Sequence, residues 1–322
     1  MRILLVILTA TAGVLALTSC KQTPKQENTT PIAKTTPEVE IVADRFADIQ
    51  MLRYTIPGFE ELSLQQKQLA YYLYMAGMSG RDIFYDQKNR YNLQIRKTIE
   101  TILETYQGDK NEDNYKKFVV YAKRFFFSNG IHHHYSTDKM IPEFDPAFLD
   151  TLISKSDFNK MPNEGKNIEE YIAFLKPILF DPKIDAKGVS LAADADNVKA
   201  SSSNLYEGVT QKEVEQFYKS KIQPGVKEQP SWGLNSKVVK VNGKVEEQVW
   251  KSGGMYGAAI DKIIYWLEKA VTVAENDAQK ATLEALVKFY KTGNLKDYDD
   301  YCVLWVKDTA SRIDIANGFI EV

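Results

Sequence analysis

Apolar residues recur at helical spacing in one segment after another, and that rhythm confines most of the chain to amphipathic helices packed against one another. Ser63-Leu64-Gln65-Gln66 is a capping-box pattern, in which a hydroxyl and an amide side chain close the first free N–H groups of a helix. Leu69, Tyr72, Leu73 and Ala76 follow on one face of it. Ile95, Ile99, Ile102, Leu103 and Tyr106 predict a second helix, stopped by Gly108. Tyr115, Phe118, Val119, Ala122, Phe125 and Phe126 predict a third. Asp145-Pro146 reads as an N-cap with proline at the first helical position, opening a short helix through Leu152. Another helix is expected over residues 168–175, before Pro177, and Thr210-Gln211-Lys212-Glu213 is a second capping box ahead of Val214, Phe217 and Tyr218. The rhythm then changes. Residues 237–241 and 244–250 are β-rich and flank Asn242-Gly243, a pair suited to the positive φ angles of a tight hairpin turn. Helices resume after Gly253-Gly254 with Ile260, Ile263, Ile264, Leu267 and Val271 on one face. Leu283, Leu286, Val287 and Tyr290 mark the next, ended by Gly293, and Tyr298, Tyr301 and Trp305 the last. The expected class is α+β, predominantly α-helical, with a small sheet inserted late and no internal repeat.

The N-terminus predicts an address. Met1-Arg2 supplies a short positive region, and residues 3–17 are apolar but short for a membrane span. The run closes on Leu17-Thr18-Ser19-Cys20, an order that suits a lipoprotein signal peptidase cutting before a lipidated Cys20. Acyl tails hold such a chain because each buried methylene contributes about 0.8 kcal/mol. The competing reading is an ordinary secretory signal with a chance cysteine. Residues 21–40, rich in Lys, Gln, Thr and Pro without apolar period, read as a flexible tether. The expected division is a signal peptide over 1–19, a lipidated cysteine and tether over 20–42, and a folded domain over 43–322. The expected location is the cell envelope, with the chain exported and lipid-anchored on a periplasmic or outer-membrane face.

A net charge of −2 with no basic stripe excludes nucleic acid as an expected partner. Of the 2 cysteines, Cys20 is committed to lipid, and Cys302 lies in an apolar run that predicts a buried, inert thiol and no disulfide framework. All 3 histidines are consecutive, His132, His133 and His134. Neighbouring side chains point in different directions on a helix or strand, so a surface loop comes first, a cleft wall second and a metal site last. No G-x-S-x-G elbow, P-loop or dinucleotide fingerprint is present. The pairs Asp299-Asp300 and Glu246-Glu247 read as solvated faces. Residues 313–322 are apolar without a stop signal, which predicts a chain that stops inside a larger protein. These residues by themselves form no complete active site.

Several segments together resemble the N-terminal half of the dipeptidyl peptidase III family, zinc exopeptidases, and most of all its bacterial, Bacteroides-type branch. They are Ala43-Asp44-Arg45-Phe46-Ala47-Asp48 with residues 54–59, Ser79-Gly80-Arg81-Asp82-Ile83, the stretch from Phe127 through Asn129-Gly130-Ile131-His132-His133-His134-Tyr135-Ser136, and Trp305-Val306-Lys307-Asp308 leading to Asn317-Gly318-Phe319-Ile320-Glu321. The resemblance implies a two-lobed protein with a wide cleft, one lobe helical and zinc-bearing, the other with a small β-barrel core to which the Asn242-Gly243 hairpin would belong. It implies removal of dipeptides from oligopeptide N-termini, with zinc held by an H-E-x-x-G-H helix and a later glutamate. Neither zinc motif is in this sequence, so the resemblance implies an N-terminal portion whose C-terminal half is missing, inactive alone and without a zinc site of its own. Glu321, beside Ile320, matches the family's glutamate for the substrate's free ammonium; a surface acid at a chain end is the other reading. His134 and Tyr135 match a loop that lines the cleft, although the Tyr135 ring equally suits packing. The alternative function is an exported helical lipoprotein that binds peptides or glycans without catalysis.

Overall fold

The computed structural model describes residues 40–318. Residues 1–39, with the signal segment, Cys20 and most of the tether, lie outside the described residues, as do Ile320 and Glu321. The chain divides into a unit of residues 1–41 and a unit of residues 42–322, and every helix and strand among the described residues lies in the second.

That unit opens on a hairpin of β1 (Val42–Phe46) and β2 (Ile49–Leu52), turning at Ala47 with φ 48°. The sequence reading missed it, because its turn, Ala47-Asp48, lacks the glycine that marks most tight hairpins. Helix α1 (Leu64–Ser79) begins on the Ser63 capping box, closed reciprocally by the Gln66 side chain. Gly80 separates it from α2 (Arg81–Lys88), and α3 (Asn92–Thr105) and α4 (Asp113–Ser128) follow. Helix α5 (Phe148–Ser154) starts later than Asp145-Pro146 predicts; Asp145 instead closes the preceding turn, its carboxylate accepting from the Ala147 N–H at 2.8 Å. Helix α6 (Ile168–Phe180) runs through Pro177 rather than ending before it. The proline removes one helical donor, but Ile178 and Leu179 beyond it are buried, and that packing keeps the last turn helical.

After α7 (Asn197–Ala200), a short strand β3 (Tyr206–Glu207) and the capped α8 (Gln211–Lys221), the expected hairpin forms from β4 (Ser236–Val241) and β5 (Lys244–Val249). Asn242 and Gly243 take φ angles of 50° and 79°, as a primed two-residue turn requires. β3 lies parallel to β4, giving a three-stranded sheet ordered β3-β4-β5. Too few strands are present to close on themselves, so the described residues hold an open sheet rather than the small barrel that the resemblance implied. Helices α9 (Gly257–Val271), α10 (Asp277–Thr292) and α11 (Leu295–Lys307) complete the chain, with α10 ending at Gly293 in the left-handed region.

Most of the helices gather around two apolar clusters, and Val214 of α8 packs with Val209 and Val238 in a third, smaller one. Ile95, Ile99, Phe118, Phe125, Leu152 and Leu175 belong to the first, drawn from α3 to α6. Leu69, Ile260, Leu267, Leu286 and Tyr301 belong to the second, drawn from α1 and α9 to α11. Each such side chain contributes about 1.5–3 kcal/mol on full burial. Helix α2 serves both: Ile83 packs into the second cluster and Tyr85 into the first. Ile313 and Ile315 fold back onto the second cluster, so this part of the apolar end is partly covered.

Helix α4 ends on Asn129 with φ 54° and Gly130 with φ 146°. A Cβ at Gly130 would stand 2.1 Å from the Asn92 amide nitrogen, which is itself fully buried. Gly130→Ala is therefore expected to lower stability by about 2–4 kcal/mol, read as a reduced urea midpoint at unchanged slope.

Candidate functional site

The three histidines lie just after this junction, on a loop held by backbone pairing. The Asn92 side chain donates to the Tyr85 carbonyl at 3.0 Å and accepts from the Ile131 N–H at 3.2 Å, which fixes where the loop leaves α4. Met140 N–H donates to the Ile131 carbonyl at 2.8 Å, and His132 bridges Lys139 in antiparallel fashion. The pairing then passes outward. Lys139 N–H donates to Ala186 O, Gly188 N–H to Thr137 O, and Ser202 and Ser203 N–H to Lys187 O and Gly188 O. Asn204 N–H closes the series on the Gln87 carbonyl at the end of α2.

Inside this frame is a cavity of about 160 Å3, lined by Phe84, Gln87 and Lys88 of α2, the three histidines and Thr137, and Gly188, Val189, Ser203 and Leu205. The three histidines therefore line a small cavity as well as forming part of a loop. His132 is buried, with Nε2 2.7 Å from the Asp185 carbonyl oxygen and 3.1 Å from the Ser202 hydroxyl. Asp185 reaches it from the left-handed region at φ 50°, tied down by a 2.9 Å hydrogen bond from Asn89. His133 uses Nδ1 to accept the backbone N–H groups of Tyr135 and Ser136, at 3.2 and 3.1 Å, and so shapes its own loop. His134 is half-buried against Phe127, ring centres 4.8 Å apart, while Tyr135 is 85% exposed with its ring 4.7 Å from that of His134.

A second, larger cavity of about 380 Å3 lies between α1, α9 and α10 and the returning segment at residues 315–318. Phe84 lines both cavities and stands between them. Tyr290 donates to the Asn317 side-chain amide oxygen at 2.7 Å, anchoring the returning segment. Of the expected site residues, His134 and Tyr135 thus share one loop, and Ile320 and Glu321 lie outside the described residues.

The local electrostatics favour neutral groups. Burial holds the His132 pKa below its ordinary value, against the opposing effect of the Asp185 carbonyl, with Lys139 and Lys88 adding to the depression. Burial also pulls Lys88 down to about 8, although its ammonium donates to the Ser128 carbonyl at 2.8 Å. Asp86, on the same helix, accepts from the Tyr256 hydroxyl at 2.6 Å and from Asn204 at 3.0 Å, linking α9 to the cavity wall. Sequence reasoning missed Asp86, Gln87 and Lys88, because α2 is too short to show a periodic signal.

Zinc needs three or four converging donors at about 2.0–2.3 Å. Among the described residues no three His, Cys, Asp or Glu side chains converge in that way. His132 Nε2 and His133 Nδ1 are already engaged by their own backbone surroundings. The donor set in these residues does not fit the metal. Cys302 is half-buried rather than fully buried, and burial raises its thiol pKa, which disfavours a nucleophilic thiolate.

Residues 184–322 match the profile of Peptidase family M49. Dipeptidyl peptidase 3 of Rattus norvegicus is 23% identical over 65% of this chain, and that of Homo sapiens 22% over 65%. The Dictyostelium discoideum protein is 21% identical over 66%. The aligned part is 31% of the length of each of these relatives, so the chain spans about a third of them. Among solved structures, dipeptidyl peptidase III from Caldithrix abyssi aligns with TM-score 0.48 and 14% identity, over 79% of this chain and 35% of that one. The enzyme from Corallococcus sp. strain EGB aligns with TM-score 0.49 and 16% identity, over 80% and 35%. The family-model and sequence matches make the chain similar to the dipeptidyl peptidase III family over part of its length.

Because the folded His132 titrates below 6.5, the unfolded state binds more protons between that lowered pKa and 6.5. Stability is expected to be fully present above that window and to fall as pH drops through it. His132→Gln should flatten the dependence between about pH 7.5 and 5, as measured by urea unfolding at each pH.

Proposed function

We propose that the chain supplies the peptide-binding share of a zinc-dependent dipeptidyl peptidase, one that releases N-terminal dipeptides from oligopeptides. The match of residues 184–322 to Peptidase family M49 carries this reading. Zinc enters through the family resemblance and not through the donors described, so these residues bind and orient the peptide and perform no step on the metal. Glu321 holds the substrate's free ammonium in a charge-assisted hydrogen bond, which limits how far the peptide slides and sets the length of the piece removed. Ile320, beside Glu321, and the loop residues His134 and Tyr135 complete the proposed peptide-binding residues. Purified residues 20–322 supplied with zinc are expected to show negligible release from a dipeptidyl arylamide, and zinc-dependent turnover would defeat this reading. Glu321→Gln should weaken binding of a tetrapeptide by about 1.5–3 kcal/mol in calorimetry, with no effect on the same peptide N-acetylated.

We also propose, from the run ending in Leu17-Thr18-Ser19-Cys20, that the protein lies outside the cytoplasm, tethered through lipid on Cys20 to the cell envelope. Cys20→Ser is expected to abolish palmitate labelling and to move the protein from the detergent-rich to the aqueous phase on partition. Labelling that survives the substitution would remove the anchor from the proposal.

A further inference from the structure

Every residue from 51 to 57 is exposed, although Met51, Leu52, Tyr54 and Ile56 are large and apolar or aromatic. Tyr54 is 83% exposed and Ile56 73%, and the exposed Phe59 follows shortly after. Single apolar side chains are ordinary on a protein surface, whereas a continuous run of them marks a docking surface. Residues 53–56 follow β2 without entering a helix or turn. Alternate side chains of an extended chain share a face, which groups Leu52, Tyr54 and Ile56 on one side. The run begins where the folded unit begins. Val42, the first residue of β1, is paired with Leu52 across the hairpin. The chain that leads from Cys20 to that point, residues 21–40, is rich in Lys, Gln, Thr and Pro, and a flexible segment of that length spans roughly 25 Å on average.

We propose that the run from Met51 through Phe59 is a membrane-docking surface, whose apolar side chains enter the headgroup boundary of the phospholipid bilayer that holds Cys20. This rests on the lipid anchor proposed above and adds a second contact to it. A short tether keeps the run close to the bilayer, so that even a weak intrinsic affinity for lipid is realised. A second copy of the chain could cover the same face, but it would have to be met by diffusion. The chemistry of the run suits lipid. Arg53 is the one charged residue between Ile49 and Phe59, so burial of apolar surface drives the contact rather than attraction to anionic headgroups. Tyr54 supplies an amphipathic ring of the kind that settles at headgroup level.

The test reconstitutes the chain lipidated at Cys20 into phosphatidylcholine vesicles whose acyl chains carry bromine, a contact quencher of indole fluorescence. Tyr54→Trp introduces the probe, Glu169→Trp on the exposed start of α6 is the control, and the signal of the 4 native tryptophans is subtracted. The indole at position 54 is expected to be quenched at least about threefold more than that at position 169. Raising salt from about 0.1 to about 0.5 M should leave that ratio unchanged. Adding Ile56→Asp should lower quenching at position 54 by about threefold or more with the melt still cooperative; if that variant does not fold, the comparison of positions 54 and 169 decides. Equal quenching at the two positions, loss of quenching in salt, or a signal at position 54 that follows protein density instead of bromine, as contact with a second copy would, overturns the proposal. Palmitate labelling reads the anchor separately. If Cys20 carries no lipid, the unanchored chain is mixed with an excess of the same vesicles and the same comparison of positions decides, so the anchor and the docking surface fail independently.

Discussion

The buried amide of Asn92 is the constraint on which the site depends. Its nitrogen reaches the Tyr85 carbonyl and, at 3.4 Å, the Asn129 carbonyl, while its oxygen takes the Ile131 N–H. One fully buried side chain thus satisfies backbone groups from α2, from the end of α4 and from the start of the histidine loop. Removing it would leave several polar groups in a low-dielectric interior, each costing about 1–3 kcal/mol. Glycine at position 130 follows from the same contact, since a Cβ there and this amide cannot share the space. The cavity is a consequence of that junction, because it forms where the loop so anchored meets the end of α2.

The long elements were legible in the sequence where a local rule decides their form. The capping boxes at Ser63 and Thr210 and the Asn242-Gly243 turn depend on few neighbouring residues, and they stand where expected. Pro177 shows where a local rule loses to tertiary packing: burial of the residues beyond it outweighs one missing donor. The β1–β2 hairpin was illegible because nothing in its turn residues announces a turn. Cys302 sits in an apolar stretch yet is only half-buried, since the run says which residues are apolar and not which face of α11 they occupy.

The candidate site was legible in part. The histidine triplet was visible as an oddity, and the resemblance pointed to a cleft, but spacing alone favoured a surface loop. What brings the loop to a cavity is the succession of backbone pairings from His132 through Lys139 and Lys187 to Ser202, groups that come together only in the folded chain. Gln87 and Lys88 belong to the wall for the same reason. Neutrality at His132 is likewise a property of burial, since the same imidazole in an open loop would titrate near its ordinary value. The three histidines accordingly have three separate assignments: one buried against a carbonyl, one folding its own turn, and one in the wall.

Helix α2 spans eight residues and lends alternate side chains to opposite apolar clusters, Ile83 to one and Tyr85 to the other. Tyr256 ties the start of α9 to Asp86 on that same helix. Neither cluster can come apart without stripping contacts from the element that completes its neighbour, so the two melt as one thermodynamic block. In hydrogen exchange the amides of α2 would then open only when both clusters open together, making this short helix the gauge of cooperativity between them.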